Sequence, residues 1–449
     1  MLKYNIVKNV DEKYLDGWID FADHTYGNKS PSDLRIAYFC GPEPQNDLDI
    51  LVELGVRIEN IWAFEKDKSL YGEALDNAKK HYPTLKIFSG SIQSFFSSFP
   101  IQFDIIYLDF TTSIFSNSAR PFDAINEVFE NQSLSELSIL VTNSCIPDKT
   151  NDTSDFLTSF FLHQPFVEGA VYGEKKASSG EIITWSVEGP DCYGYDWNNL
   201  KKRIDANWNY AYSAFASQYP ILYGAVVQPA YRVLRSNELK KQIFSKDSQL
   251  HDAAEKISGT EALMSMLSDD MDESPLRGDL IFEPSNYPLW HQMLVLKDQK
   301  NNPGKYWYNY FCQKELGISR FDAIKLGDVL RSSLEGYFDA LSPQLKSSIP
   351  KIIAAIPDSK GGLFCDIPLP NLWIEVALNQ LGLPYHCNVS NHYRGAYKAK
   401  TRSMMFDVFV FDRCRAFYDW LPMLELYGND LTVPERQVIA RSRTLPCIM

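Results

Sequence analysis

The sequence predicts a doubly wound α/β domain followed by a second, α+β domain at the C-terminal end. Between residues 34 and 187, short apolar runs alternate with stretches of helical spacing. Each run is apolar throughout rather than at every second position, which is typical of parallel strands covered on both faces. Right-handed crossovers between such strands place helices on both sides of the sheet.

The predicted elements follow one another regularly along the chain. The strands are Leu34–Cys40, Ile58–Phe64, Leu85–Phe88, Phe103–Leu108, Leu137–Thr142 and, as a candidate, Ile182–Val187, and the helices are Leu48–Leu54, Ser69–His81, Ala124–Phe129 and Asp155–Leu162. We expect Ser69 to cap the second helix, and Asn46 or Asp47 to cap the first. The pattern of residues Asn207–Arg235 predicts a helix, followed by a strand or loop that closes the sheet.

Four segments are expected from this pattern. An N-terminal arm (1–33) precedes the sheet domain (34–235), and a helical linker (236–277) contains the acidic run 268–273. The last segment (278–449) is the α+β domain. Its strand-like stretches are Leu280–Phe282, Met293–Leu296, Tyr385–Val389 and Phe406–Phe411, and its helical stretches are Tyr306–Glu315, Arg320–Leu341 and Leu372–Leu381.

The charge of the chain limits the kind of partner it can bind. Its formal net charge is −13, whereas a protein that coats a duplex is usually basic, because neutralising phosphates supplies much of the affinity. Any contact with nucleic acid must therefore use a local basic face.

Cysteine spacing and hydropathy point to the compartment. The eight cysteines include no CxxC pair, so no metal site is predicted. Cys145 and Cys365 have no ordered His partner in the sequence and are interpreted as buried thiols. The first residues have no apolar core of signal-peptide length, and no run approaches the ~20 apolar residues of a membrane span. We expect a soluble, cytoplasmic protein with reduced thiols and no membrane contact.

Three residues at strand ends are candidates for binding a nucleoside cofactor, because ligands of such sheets lie beyond the carboxyl ends of the strands. Gly41 lets the backbone turn and approach a ligand closely. Glu65 places a carboxylate where it can accept both ribose hydroxyls. Ser91 follows the third strand. A plainer interpretation stays open for each: a strand-to-helix turn for Gly41, a surface carboxylate for Glu65 and an N-cap for Ser91.

The fourth strand ends in a candidate catalytic pair. Asp109 can accept a proton or orient a substrate amine, and Phe110 can stack on a flat base. The alternative is an aspartate at a buried edge whose carboxylate is satisfied by backbone amides.

These residues resemble the class I methyltransferase family, in a Rossmann-like sheet. Three stretches are similar in layout to the tRNA guanine-N2 dimethyltransferases: 104–124, 210–235 and 376–402. The resemblance implies S-adenosylmethionine as cofactor, with Glu65 on its ribose and Asp109 on the target amine. It also implies an RNA-facing C-terminal segment. In this sequence the family's acidic-Pro-aromatic-Gly signature is replaced by Asp-Phe-Thr-Thr at 109–112.

A local basic segment lies within the acidic chain. Basic side chains can contact phosphates while tyrosine rings stack on bases. The alternative is a solvated hairpin whose cations protect an edge strand. The candidate RNA-binding residues are Tyr393, Arg394, Tyr397, Lys398, Lys400 and Arg402.

Two functions are the leading interpretations of these patterns, and a third, less favoured one is a structural scaffold in which the aromatic-rich C-terminal domain forms an oligomer. The first is methyl transfer from S-adenosylmethionine to an amine of nucleic acid, RNA rather than DNA. The second is a catalytically inactive, methyltransferase-like module that binds nucleic acid or a protein partner. The single glycine of the 41–48 loop and the altered 109–112 signature favour the second.

Overall fold

The computed structural model describes most of the predicted sheet domain and parts of the remaining chain. The described residues are 29–116, 118–161, 175–176, 182–183, 197–246, 251–252, 255, 309, 311–315, 317–324, 342–343, 383, 385–387, 392–399 and 401–412. The chain divides into two compact units. One consists of Met1–Pro147 and Tyr385–Tyr418, and the other of Asp148–Pro384 and Asp419–Met449.

Strands and helices alternate through the first part of the chain. The described strands are β1 (Ile36–Phe39), β2 (Ile61–Glu65), β3 (Lys86–Ser89), β4 (Phe103–Asp109), β5 (Leu134–Cys145), β6 (Lys175–Lys176), β7 (Ile182–Ile183), β8 (Lys314–Glu315), β9 (Ile318–Ser319), β10 (His386–Cys387), β11 (Tyr393–Ala399) and β12 (Arg402–Asp412). The described α-helices are α1 (Gln45–Glu53), α2 (Lys68–His81), α3 (Ile92–Ser98), α4 (Pro121–Glu130), α5 (Asn151–Phe161), α6 (Trp197–Ala206), α7 (Trp208–Leu222), α8 (Gln228–Arg235) and α9 (Asn237–Ile243).

The first unit is built on a mixed sheet in which β1–β5 are parallel. Their order across the sheet is β3-β2-β1-β4-β5. The chain therefore places β2 and β3 on one side of β1, and β4 and β5 on the other. In the register, Tyr38 lies opposite Tyr107, and Asp109 lies opposite Asn143. The carboxyl ends of β1, β2, β4 and β5 therefore meet at one rim. The predicted doubly wound α/β sheet is confirmed.

Helices cover both faces of this sheet, as the continuous apolar strands require. On one face, Leu48 and Leu51 of α1 and Ala74 of α2 pack against Ile36 and Tyr38 of β1, all of them buried. The other face carries an aromatic cluster. Its ring pairs include Phe64–Phe95, with centroids 4.9 Å apart, and Phe95–Phe99, with centroids 4.8 Å apart.

The helix caps differ from the predicted ones. Pro44 precedes α1, and Asn46 and Asp47 lie inside its first turn without capping it, because the fixed backbone of proline already sets a helical entry. In α2 the cap is Asp67, which has an extended backbone and accepts hydrogen bonds from the amides of Ser69 and Leu70. The predicted caps Ser69, Asn46 and Asp47 were therefore wrong by two or three positions.

The sheet is completed by strands from far along the chain. β12 pairs antiparallel with β5 over nine residue pairs, from Met404 opposite Cys145 to Asp412 opposite Leu137. β10 and β11 both pair antiparallel with β12, at opposite ends of it. The predicted strand 406–411 thus lies beside β5, within the segment 278–449 that was expected to form a separate domain. The predicted boundaries at 33/34, 235/236 and 277/278 stay predictions.

Two expected closing elements of the sheet are not part of it. The strand predicted at Ile182–Val187 is present at Ile182–Ile183, but among the described residues it pairs only with β6, as a two-stranded ladder outside the main sheet. Asn207–Arg235 is helical throughout and contains no strand. A π-helical segment (Tyr223–Val227) joins α7 to α8, and Pro229 is the second residue of α8.

The second unit has its own helical core. Phe156 and Phe160 of α5 pack edge-to-face against Phe215 of α7, with ring centroids 5.2 Å and 4.9 Å apart. An ion pair between Lys201 and Asp155 joins α6 to α5. Residues 320–324 are helical, at the start of the predicted helix 320–341.

Several predictions fall on other parts of the chain. The arm 1–28, the acidic run 268–273, Cys365 and Lys400 lie outside the described residues. So do the predicted elements Leu280–Phe282, Met293–Leu296 and Leu372–Leu381.

Candidate functional site

The turn after β1 is fixed in place and leaves room for a ligand. Gly41 has a φ of +57°, and a Cβ added to it would meet no atom within 4 Å. The loop that follows is held from two sides: the Tyr38 hydroxyl donates to the carbonyl of Pro44 at 3.2 Å, and the Asn77 amide donates to the carbonyl of Pro42 at 2.8 Å. Gly41 therefore presents its backbone to open space from a rigid loop.

Glu65 lies next to this turn at the end of β2. Phe39 of β1 pairs with Phe64, and the Cys40 amide donates to the Phe64 carbonyl at 3.2 Å. Cys40 and Glu65 are thus adjacent, and burial, followed by the Glu65 charge, raises the pKa of the Cys40 thiol to about 12. The Oε1 atom of Glu65 accepts the amide of Asp67 at 2.7 Å, and no described residue donates to Oε2.

Ser91 caps the helix after β3. Its hydroxyl accepts the amide of Ser94 at 3.1 Å and lies 2.7 Å from the hydroxyl of the same residue. This is the N-cap interpretation. The preceding Gly90 donates its amide to the carbonyl of Glu65 at 3.0 Å, so the three turns after β1, β2 and β3 lie along the same rim.

Asp109 belongs to a polar chain that the sequence did not reveal. The side-chain amide of Asn143, on β5, donates to Oδ1 of Asp109 at 2.6 Å and to the hydroxyl of Tyr397, on β11, at 2.6 Å. Asn143 is 3% exposed. Residues 34 and 254 positions apart are therefore joined at the end of the central strands.

The electrostatics of this rim are dominated by carboxylates. Burial raises the pKa of Asp109, and the hydrogen bond from Asn143 opposes that rise. Burial, and then the charge of Asp109, raise the pKa of Asp47. Burial and the same Asp109 charge raise the pKa of Tyr107. None of the three carboxylates Asp47, Glu65 and Asp109 forms an ion pair with a described residue, so the rim favours a cationic or proton-donating ligand.

Phe110 lies on the wall of this site rather than at its opening. Its amide donates to the carbonyl of Asn143 at 2.8 Å. Its ring contacts Phe39 edge-to-face, with centroids 5.5 Å apart, and the residue is 6% exposed. In this conformation Phe110 offers little ring surface to a ligand.

The basic segment is a hairpin whose first strand is an edge of the sheet. β11 and β12 pair from Tyr393–Val408 to Ala399–Arg402. Arg394, Lys398 and Arg402 are exposed, and so are the rings of Tyr393 and Tyr397. The guanidinium of Arg402 donates to the carbonyl of Thr111 at 3.3 Å. The hairpin that was the plainer alternative for this segment is thus present, and it contacts the loop after Asp109.

The structure brings most of the candidates to one place. Gly41, Glu65 and Ser91 follow adjacent strands of one rim, and Asp109 ends the next strand of that rim. Asn143 was missed, because nothing in a strand of buried polar and apolar residues marks one asparagine as part of a site. Its signal is positional: it directly follows the predicted fifth strand, Leu137–Thr142, next to the strand that carries Asp109.

One class of site and one kind of helix are absent from the described part of the chain. There, no group of three or more His, Cys, Asp or Glu side chains could hold a metal ion. Cys145 is buried and does not form a disulfide. None of the described helices has both the length and the apolar character that crossing a membrane requires.

Comparison with known proteins gives partial likenesses of fold. No protein-family model and no curated protein matches the chain. A SAM-dependent methyltransferase from Archaeoglobus fulgidus is 13% identical, over 32% of this chain and 61% of that one, with a TM-score of 0.21. An S-adenosylmethionine-dependent methyltransferase from Clostridium acetobutylicum is 14% identical, over 41% of this chain and 65% of that one, with a TM-score of 0.21. The strand order and register by themselves assign a Rossmann-like, doubly wound sheet.

Proposed function

We propose that this protein transfers a methyl group from S-adenosylmethionine to an amine of nucleic acid, RNA rather than DNA. The observation that carries the proposal is the shared rim of β1, β2 and β4. There, a glycine with open space beside it, an available carboxylate oxygen and a half-buried aspartate lie at the ends of neighbouring parallel strands. Ligands of doubly wound sheets bind at such a rim.

The residues present fit the cofactor. The backbone at Gly41 leaves space for a ligand, and the Oε2 atom of Glu65 is available to ribose hydroxyls. Asp47 and Asp109 supply negative charge without a described cationic partner, which complements a positively charged sulfonium. When bound, S-adenosylmethionine supplies an electrophilic methyl group.

Asp109 performs the chemical role on the acceptor side. Its carboxylate accepts an N–H group and so orients the nitrogen lone pair, and catalysis is then mostly a matter of positioning. Because burial raises the pKa of Asp109, this group holds a proton more readily than an exposed aspartate does. It can therefore take the proton that the methylated nitrogen loses.

Titration calorimetry with S-adenosylmethionine and S-adenosylhomocysteine tests the cofactor site. We expect binding of both ligands, with a loss of about tenfold or more in Glu65→Ala, the effect of removing one hydrogen bond to a charged group. Glu59→Ala is the matched control, because Glu59 is an exposed glutamate just before the other end of the same strand. Absence of binding in the wild-type protein would reject the proposal.

The second candidate is a non-catalytic module of the same fold. It is favoured by the loop after Gly41, which contains Pro42 and Pro44 and is held by Tyr38 and Asn77, so that it has little freedom to close over a ligand. In that case the protein binds RNA oligonucleotides with the same affinity whether or not S-adenosylhomocysteine is present, and calorimetry detects no binding of the cofactor.

A further inference from the structure

Beside Asp109, the side chain of Asn143 carries a buried hydrogen-bond acceptor that has no described partner. Its side-chain amide nitrogen donates to Asp109 and to Tyr397, and the Tyr107 hydroxyl lies within hydrogen-bonding reach of the same side chain. Its Oδ1 atom is buried and has no hydrogen-bond partner among the described residues. Buried polar atoms are rarely left without a partner, and an exception of this kind indicates a missing water molecule or ligand.

The orientation of the amide follows from its neighbour. An ionised carboxylate can only accept hydrogen bonds, so the Asn143 atom 2.6 Å from Oδ1 of Asp109 is the nitrogen, and the carbonyl oxygen is the one left over. A second polar atom nearby is in the same state. Thr112 follows Asp109 by three positions, its carbonyl accepts the amide of Cys145 at 3.1 Å, and its buried hydroxyl has no described partner.

Hydrogen-bond complementarity then defines what this place can receive. No described residue donates to Oδ2 of Asp109 or to Oδ1 of Asn143. Two hydrogen-bond acceptors on paired strands therefore lack a donor among the described residues. A hydroxyl has one proton and satisfies only one of them, whereas an amine has enough N–H groups for both.

We propose that Asn143 determines the acceptor specificity of this site: with Asp109 it receives two N–H groups of a single amine. The inference rests on the proposed methyl transfer and adds the residue that distinguishes an amine from a hydroxyl acceptor. Tyr397 is a positioning residue in this scheme. Its hydroxyl accepts one N–H of Asn143 and so holds the amide with its oxygen directed away from the hairpin strand.

A pair of cofactor analogues tests this without knowledge of the natural acceptor. In sinefungin an amine-bearing carbon replaces the methyl-bearing sulfur of the cofactor, so its amine stands where the transferred methyl group does. S-adenosylhomocysteine has neither the transferable methyl group nor an amine at that position. We expect Asn143→Leu to lower the affinity for sinefungin about tenfold, the effect of one buried hydrogen bond. The affinity for S-adenosylhomocysteine should stay within about twofold of the wild-type value.

Two further variants make the result specific. Asn143→Asp keeps an acceptor oxygen but removes the amide donors, so it retains sinefungin affinity and makes that affinity depend more steeply on pH, because two adjacent carboxylates raise each other's pKa. Ser138→Ala is the matched control. Ser138 is on the same strand as Asn143, five positions before it, and lies opposite Phe411. Its hydroxyl is also buried and has no described partner, so its loss should change neither affinity.

The outcomes distinguish a failure of the proposed function from a failure of the inference about Asn143 alone. Wild-type protein that binds neither analogue overturns the proposed function and this inference together. Binding of both analogues with a ratio that Asn143→Leu leaves unchanged overturns the inference alone. Retained binding of S-adenosylhomocysteine shows that a variant is folded. If Asn143→Leu does not fold, Asn143→Ser, which shortens the side chain, is expected to give the same loss of sinefungin affinity.

Discussion

Phe406 of β12 covers Gly395 of β11 so closely that a Cβ at position 395 would lie 2.5 Å from the ring atom Cε1. The two residues are directly opposite in the hairpin. On the same face Tyr397 follows Gly395 by two positions, and its ring centroid lies 6.5 Å from that of Phe406. The glycine thus leaves room for the ring of Phe406, which is tilted by 48° against the tyrosine that contacts Asn143.

Gly395→Ala is expected to lower the free energy of unfolding by about 1–3 kcal/mol, the usual effect of adding a methyl group where no space exists. Urea denaturation of the full chain measures the change. Gly72→Ala is the matched control: Gly72 lies within α2, where a Cβ meets no atom within 4 Å, so this variant should gain ~0.5–1 kcal/mol. Equal effects of both variants would contradict the close contact.

Gly41→Ala should separate backbone strain from ligand space. The left-handed φ of Gly41 costs an alanine about 1–2 kcal/mol, whereas asparagine tolerates that region better. We therefore expect Gly41→Asn to be more stable than Gly41→Ala in thermal unfolding. Both variants place a side chain in the open space and should bind S-adenosylhomocysteine less tightly than wild type. Wild-type affinity in Gly41→Asn would argue against a cofactor at this turn.

The sequence predicted the local elements of the sheet far better than its long-range pairing. The strands that end near Gly41, Glu65 and Asp109 were predicted within a few residues, because runs buried on both faces are visible as continuous apolar stretches. The pairing of β5 with β12 leaves no such local mark, since it depends on where distant segments meet. For the same reason Asn143 and Tyr397 could not be recognised as neighbours of Asp109.

The error at Asn207–Arg235 has a different physical origin. Ala225, Val226 and Val227 resemble a short strand, and Pro229 resembles a break. In the structure a π-helical segment continues the helix at 223–227, and Pro229 takes a first-turn position in α8. Local β propensity was overridden here by the helical context.

The hairpin gives a prediction about nucleic acid. Arg394→Glu together with Lys398→Glu should weaken binding of a single-stranded RNA oligonucleotide. The slope of log K against log salt should also fall in magnitude by about 1.4, at roughly 0.7 for each lost phosphate contact. Fluorescence anisotropy over a salt series measures both.

The control for that experiment carries the same change of charge elsewhere. Lys79→Glu with Lys80→Glu alters two exposed lysines in the last turn of α2. If this variant reduces the slope as much as the hairpin variant does, the effect is one of net charge, and the hairpin is not the contact surface.

The raised pKa of Asp109 predicts a link between stability and pH. A carboxyl group whose pKa is higher in the folded than in the unfolded chain binds its proton more tightly when folded. Its contribution therefore favours folding at low pH and is lost as the pH rises through the ordinary value of 3.8 towards the folded one. At neutral pH the ionised, partly buried Asp109 is destabilising, and Asp109→Asn should raise the thermal midpoint there while abolishing methyl transfer.

The comparison across pH makes this prediction decisive. The gain of Asp109→Asn should shrink as the pH falls below about 4, where wild-type Asp109 is itself protonated. Asp67→Asn should behave in the opposite way, because hydrogen bonds from Ser69 and Leu70 lower the pKa of Asp67, so that its ionised form stabilises the fold at neutral pH. If Asp109→Asn instead lowers the thermal midpoint at neutral pH, the ionised carboxylate of Asp109 stabilises the folded chain. Asp109 is then not an unpaired carboxylate that is available to a ligand.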